Sequence, residues 1–304
     1  MPKRPSSRLL WSGANVTADL SCDRDLAALA GRLDDLTAVV GRAAAAILAV
    51  DPATAGRRQK SDRSFVTHAD EAAQAVVLQG LSEIFPGLPA ICEEATGLPR
   101  PDALGQCFAL VDPLDGTREF LDGRPEFTVN LAVVRAGVAV LGIIAAPALG
   151  RIWRGFLGSG AQRLRFDPAR PGGFDEIVPV HARAQIPGRI RVAVSRSHLD
   201  ADTSALLSRL AVSETIVCGS SLKFCRVAEG GADLYPRLAP TFEWDIAAGD
   251  ALLAAAGGVV KKPDGTPLRY GQIADGFRVP AFVAFGDPAA AREIVEGGTG
   301  RHGR

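Results

Sequence analysis

Between Asp23 and Asp51 the apolar residues Leu26, Leu29, Leu33, Leu36, Val40, Ala44 and Ile47 recur at three- and four-residue steps. That spacing predicts a helix with one face on a core, ended by Asp51 and Pro52. After the polar stretch "QKSDRSFVTHADEAAQ", Ala73, Val76, Val77, Leu81 and Ile84 define a second amphipathic helix, stopped at Phe85, Pro86 and Gly87. A short strand "LPAIC" follows, then an apolar strand running into Asp112, then two alternating runs, "FTVNLAVV" and "VAVLGIIAA", separated by Arg135 to Gly137 as in an antiparallel hairpin. "RIWRGF" reads as a further strand, and the Pro-, Gly- and Arg-rich stretch from Phe166 to Gly188 as a link.

Beyond Gly188 strands alternate with helices. "IRVAVS" leads to a helix over 201–211, "ETIVCG" to one over 220–229, and "ADLYPR" to one over 246–256; "GGVV", "PAFVAFG" and a last helix near 287–296 complete the chain. An α+β half followed by an α/β half predicts sheets in layers with helices between and outside them. The expected organisation is an arm over residues 1–21, a first half over 22–185 and a second over 186–304.

Charge and cysteine usage narrow the function classes. The 304 residues carry 34 Lys plus Arg and 34 Asp plus Glu. A net charge of zero without basic runs favours small-molecule chemistry over binding a nucleic-acid polymer. The five cysteines, Cys22, Cys92, Cys107, Cys218 and Cys225, show no zinc-type spacing and read as reduced thiols of a cytoplasmic protein. The longest apolar run of the basic start is Leu9 to Trp11, too short for a membrane span.

The chemistry is concentrated in "FALVDPLDGTREF", Phe108 to Phe120. An apolar strand ending in Asp112 and Asp115 would bury two repelling charges, and a cation between them resolves the conflict. Asp70, Glu93 and Asp245 also fall where strands or loops hand over to helices. Taken singly, Asp70 and Asp245 read more readily as helix caps than as ligands, and Asp115-Gly116 reads also as an ordinary turn. Together they form an oxygen-only donor set without His or Cys, which favours Mg²⁺ or Mn²⁺ over zinc or copper. So many carboxylates point to paired ions, the apparatus of phosphate-ester cleavage. Thr117 can hold a water, and the N–H groups of Gly116 and Thr117 can face a phosphate.

These residues resemble the lithium-sensitive, magnesium-dependent phosphatases that include inositol monophosphatase and fructose-1,6-bisphosphatase. "VDPLDGT", the later "EWDIAAGDALLAAAGG" and the "EE" of "ICEEATG" carry the likeness. "DGTREFLDGRPEFTVNLAVV", "VSRSH" and "GSSLKFCRVAEGGADLYPRLAPTFEWD" are similar to the CysQ type within that family, the 3'(2'),5'-bisphosphate nucleotidases. The resemblance implies a five-layered αβαβα fold and hydrolysis of the 3'-phosphate of adenosine 3',5'-bisphosphate. It implies Glu93, Asp112, the Leu114 carbonyl, Asp115 and Asp245 as ligands of two Mg²⁺ ions, Mn²⁺ substituting and Li⁺ and Ca²⁺ inhibiting. Glu93 and Thr117 would orient the attacking water, with Asp70 behind them as a further catalytic residue and support for a third, weaker ion. Phe65 and Cys92 depart from the proline and serine common at those positions, and neither removes an oxygen ligand.

Glu93, Leu114, Asp115, Gly116, Thr117 and Asp245 would also meet the substrate, with His198, Ser221 and Lys223 as its further contacts. Ser220 and Arg237 could add polar groups for a second phosphate, ribose or base. Lys223 and Arg237 read alternatively as solvated surface charges and His198 as a loop-end histidine. Glu243 is expected to face away from the ions, and Trp244 to pack the helix start. "GFLGSGAQR" lacks the third glycine of a dinucleotide fingerprint, and Cys225 reads as core. A sister phosphatase acting on inositol or sugar phosphates is the competing reading. A non-catalytic phospholigand sensor ranks last because every expected ligand is present.

Overall fold

The computed structural model describes residues 23–59, 65–95, 104–186, 188–197 and 199–291. The expected arm over 1–21, His198 and the end of the expected last helix lie outside them. The first periodic run forms two helices, α1 (Asp23–Gly31) and α2 (Leu33–Leu48), instead of one. Arg32, after a glycine, takes φ −110° and ψ 7° and interrupts the run without disturbing the apolar stripe.

The short strands β1 (Arg58–Gln59) and β2 (Phe65–Val66) pair ahead of α3 (His68–Ile84). A seven-stranded sheet then forms in sequence order: β3 (Ala90–Cys92), β4 (Cys107–Asp115), β5 (Thr128–Arg135), β6 (Val138–Ala146), β7 (Arg151–Phe156), β8 (Gly160–Phe166) and β9 (Phe174–Val180). Only β3 and β4 run parallel. The stretch expected as a link thus supplies β9. As an edge strand it leaves Ile177 and Val178 exposed, so its apolar positions give no inward face to read. The five-residue helix α4 (Thr117–Leu121) stands between β4 and β5.

The second sheet has the order β11-β10-β12-β16-β14. Its members are β10 (Ile190–Ser195), β11 (Val212–Cys218), β12 (Leu234–Arg237), β14 (Val259–Lys261) and β16 (Phe282–Phe285). Helix α5 (Ala201–Ser208) connects β10 to β11, and α6 (Leu222–Ala228) connects β11 to β12. The two-residue strands β13 (Thr241–Phe242) and β15 (Arg278–Val279) pair beside α7 (Glu243–Ala255).

Strand parity explains the layering. In β4, Phe108 and Leu110 join the cluster containing α6 and α7, whereas Ala109 and Val111 join that of α2 and α3. Both faces are covered, so the strand is apolar throughout. Tyr235, Phe282 and Ala284 close the α6–α7 layer from the second sheet, and Val192, Leu234, Val283 and Phe285 face outward to Leu206, Leu207 and Ala291. The result is the α-β-α-β-α stack.

Helix α7 lies close on the first sheet because glycines face it. A Cβ on Gly142 would stand 2.1 Å from the Ala248 carbonyl oxygen, and one on Gly155 2.8 Å from Leu252 Cα. Opposite the sheet, a Cβ on Gly249 would fall 2.2 Å from the Phe224 ring.

Candidate active site and metal centre

Asp112 pairs with Asn130 and Asp115 with Thr128, so two residues of β4 stand opposite the single Val129. This bulge changes the parity of the strand. Residues three apart would otherwise point to opposite faces; here both carboxylates share the face of Asn130 and Thr128, toward α6 and α7. Pro113, which has no N–H for the ladder, falls inside the bulge. Gly116 follows at φ +91°, and a Cβ there would lie 3.2 Å from the Glu126 carbonyl oxygen. Only glycine takes that turn without strain.

Asp70 and Asp245 come from helix starts. Each is the third residue of its helix rather than the residue before it. Asp70 Oδ2 accepts the Thr67 N–H at 2.8 Å and the Thr67 hydroxyl at 2.7 Å. Asp245 Oδ2 accepts the Phe242 N–H at 3.0 Å and the Thr241 hydroxyl. The capping reading therefore holds for both, one oxygen of each carboxylate closing its helix.

Glu93, in the turn after β3, donates its N–H to the Val111 carbonyl at 3.1 Å. Glu93, Asp112 and Asp245 each offer an oxygen lying within 4.8 Å of the other two. An ion with ligands at ~2.1 Å spans ~4.2 Å between opposite oxygens, so this set fits one hard divalent cation. Asp112, 1% exposed, has its carboxyl pushed well above the usual range by burial, then by Glu93, Asp115, Asp245 and Asp70. Asp115 is also raised, by burial and Asp245, against the opposing influence of Lys223, Ser221 and Arg237. Like charges drawn together out of water are the electrostatic form of a cation site.

Thr117 joins Asp70 to this group. Its hydroxyl lies 3.1 Å from the Leu114 carbonyl and 3.4 Å from Asp70 Oδ1. Burial pushes the Asp70 carboxyl up to about 6 against the lowering effect of the Thr67 bonds.

The expected substrate contacts are redistributed. Lys223, read as a phosphate anchor or a surface charge, is 2% exposed. Its ammonium donates to the Ser220 carbonyl at 2.5 Å and the Cys218 carbonyl at 3.4 Å, and lies 5.2 Å from the Tyr235 ring centre. Ser221 is also buried, and its hydroxyl touches Asp115, the Asp245 main chain and Asn130. At Arg237 burial lowers the pKa, but Tyr235, Asp245 and Asp115 outweigh it and raise it, and its Nε is buried without a hydrogen-bond partner. Glu243 is fully buried and accepts the N–H groups of Gly271 at 2.6 Å and Gln272 at 2.9 Å, so it fastens a loop. Trp244 stacks on Phe242, as a helix-start packer should.

Sequence reasoning missed Asn130. The available signal was an asparagine inside the apolar run "TVNLAVV", since a polar residue buried in a strand needs partners. Cys92, Cys107, Cys218 and Cys225 form no disulfide, and burial raises Cys92 to about 12.

The profile of the inositol monophosphatase family matches residues 33–284. The chain belongs to that family. Over 235 residues it is 40% identical to the 3'(2'),5'-bisphosphate nucleotidase CysQ of Escherichia coli strain K12, covering 73% of this chain and 88% of the relative. The crystal structure of CysQ from Bacteroides thetaiotaomicron, a bacterial member of the family, superposes with a TM-score of 0.69 at 32% identity, covering 88% of this chain and 98% of that one. An inositol monophosphatase from Anabaena (Nostoc) sp. PCC 7120 gives 0.67 at 26% identity, covering 88% and 95%. The family fold and the layers described above agree, and Mg²⁺ is the ion that the family generally uses. Among the described residues no helix is long and apolar enough to cross a membrane.

Proposed function

We infer that this protein is a magnesium-dependent 3'(2'),5'-bisphosphate nucleotidase that hydrolyses adenosine 3',5'-bisphosphate to AMP and phosphate. One observation carries the chemistry: a bulged strand and a helix start bring Asp112, Asp115 and Asp245 together, with Glu93 beside them. The 40% identity to a CysQ enzyme supports the nucleotide substrate over an inositol phosphate. The sulfated analogue 3'-phosphoadenylyl sulfate presents the same 3' ester. The expected setting is the cytoplasm, in sulfur assimilation and nucleotide recycling.

Glu93, Asp112, the Leu114 carbonyl, Asp115 and Asp245 are assigned to two Mg²⁺ ions. Bound there, the ions polarise the phosphate and lower the pKa of the attacking water. Glu93 and Thr117 orient that water. As its oxygen bonds to phosphorus and the bond to the 3' oxygen breaks, its proton would pass through Thr117 Oγ1 to Asp70 Oδ1, and the departing 3' oxygen would take a proton from solvent water to become the ribose hydroxyl. A carboxyl near 6 is matched to that task at neutral pH. The Gly116 and Thr117 N–H groups would meet the phosphate oxygens, and Arg237 would meet a second anionic group. Mn²⁺ substitutes, while Li⁺ and Ca²⁺ inhibit by occupying these sites unproductively.

The deciding measurement is phosphate release from adenosine 3',5'-bisphosphate and inositol 1-phosphate, side by side, with Mg²⁺ and with or without Li⁺. Lithium-sensitive release from the nucleotide is expected. Preference for inositol phosphate would overturn the substrate while keeping the carboxylate chemistry.

A further inference from the structure

The Ser221 hydroxyl has three polar neighbours and a single hydrogen. Asp115 Oδ2 lies at 2.8 Å, the Asp245 main-chain oxygen at 3.2 Å and Asn130 Nδ2 at 2.8 Å. An ionised carboxylate and a peptide carbonyl only accept. The serine hydrogen therefore goes to the acidic side, first to the nearer and charged Asp115, and Asn130 must present its amide N–H to the serine oxygen. That elimination orients Asn130 without reference to its own surroundings, and it leaves Asn130 Oδ1 buried and unpartnered. An orphaned carbonyl in a buried strand is tolerated where its other end is needed.

Asn130 stands opposite Asp112 in the ladder, and Ser221 immediately precedes α6. The preceding Ser220 is held at φ +42°, a strained angle for a residue with a side chain, and the Lys223 ammonium fastens its carbonyl. The turn that presents Ser221 is thus fixed from beneath by a buried cation, and the serine bridges the strand carrying Asp115 to the helix carrying Asp245.

We propose that Ser221, oriented by Asn130, is a positioning residue for the metal centre: it commits one oxygen of Asp115 to a hydroxyl, directs the other at the cation, and ties Asp115 to the Asp245 main chain. The hydroxyl is thereby reassigned from the substrate to a metal ligand. This rests on the metal-site part of the proposed function and not on the identity of the substrate.

The test is Mn²⁺ binding to the full-length protein without substrate, by calorimetry and by the Mn²⁺ resonance spectrum, for wild type, Ser221→Ala, Ser221→Thr and Asn130→Asp. Loss of an outer hydrogen-bond partner weakens metal affinity by about 10- to 100-fold. Ser221→Ala is expected to show that loss with an unchanged circular dichroism spectrum, and Ser221→Thr to stay within about threefold of wild type. In Asn130→Asp the new carboxylate, once ionised, would compete with Asp115 for the serine hydrogen, so this variant is expected to weaken Mn²⁺ as well while barely changing volume. Wild-type affinity in Ser221→Ala, with a raised KM for adenosine 3',5'-bisphosphate, would overturn the proposal and return Ser221 to the substrate. A wild-type protein that binds Mn²⁺ and loses it on Ser221→Ala, yet leaves the nucleotide intact, would retain this inference and sink the substrate assignment.

Discussion

Asp112 and Asp233 are both almost fully buried carboxylates, at 1% and 2% exposure, and their environments drive them in opposite directions. Asp112 is surrounded by Glu93, Asp115, Asp245 and Asp70, and its pKa rises far above the usual value. Burial would raise Asp233 too, but Arg183 holds it through two bonds of 2.6 and 2.9 Å and the Arg191 N–H through one of 2.7 Å, so its pKa falls. The second carboxylate has its cation built into the chain; the first has been denied one. Depth alone does not mark a functional acid. The missing counter-charge does, because only a group whose charge the fold leaves uncompensated has binding energy to offer an ion from solution.

The comparison breaks most sharply at Asp112→Asn. Turnover is expected to fall on the order of 10³-fold or more, since the change removes ion-held stabilisation of the transferring phosphoryl group. The same variant is expected to melt higher than wild type when Mg²⁺ is withheld, because an uncompensated charge has gone. Undiminished phosphate release would remove Asp112 from the centre.

Asp233→Asn is the mirror experiment. It strands Arg183 and Arg191 and is expected to cost about 3 kcal/mol in denaturant unfolding, the lower end for a broken buried pair because Arg183 is 31% exposed. Activity per folded molecule should be unchanged; a kinetic defect at full stability would tie Asp233 to the chemistry after all.

A third carboxylate sharpens the contrast by lying between the two. Asp250 of α7 accepts the Tyr270 hydroxyl at 2.7 Å, and burial pushes it from 3.8 to about 6 despite that bond. The folded state then binds the proton more tightly than the unfolded one, so Asp250 costs stability as pH rises through roughly 4 to 6. Asp250→Asn cannot titrate. Its melting temperature is expected to exceed that of wild type at pH 8 by the equivalent of about 1 to 2 kcal/mol, below the ~3 kcal/mol that two pKa units would give, because the charge-assisted Tyr270 bond is weakened. The gap should close by pH 5; a gap independent of pH would assign the effect to packing.

The acidic set was legible because "VDPLDGT" compresses strand, bulge, turn and helix start into seven residues, so local chemistry alone implied a cation. What the neighbouring carboxylates do depended on partners far along the chain. Nothing near Ser221 in sequence announces Asn130 or Asp115, which reach it only once the strands pair. Lys223 read as an anion contact from its likeness to the bisphosphate nucleotidases, or else as a solvated charge, and its burial beneath a turn leaves no local trace. The layers could be read from alternating apolar runs wherever both faces of a strand are covered. They could not be read in β9, an edge strand with exposed apolar residues, nor at Arg32, where the apolar stripe continues through a break in the helix.

The glycines beneath α7 bear on the acidic cluster without touching it. Ala248, whose carbonyl leaves room for nothing larger than hydrogen on Gly142, lies three residues from Asp245, ~4.5 Å along the helix axis. The depth to which the helix seats on the sheet is therefore also the reach of its carboxylate toward Asp112. Gly142 works as a depth stop: one methyl group there would lift the helix and widen the gap between carboxylates while every ligand kept its identity. The calibration of the site is thus written in two side chains that are absent, at positions no inventory of charged residues would include.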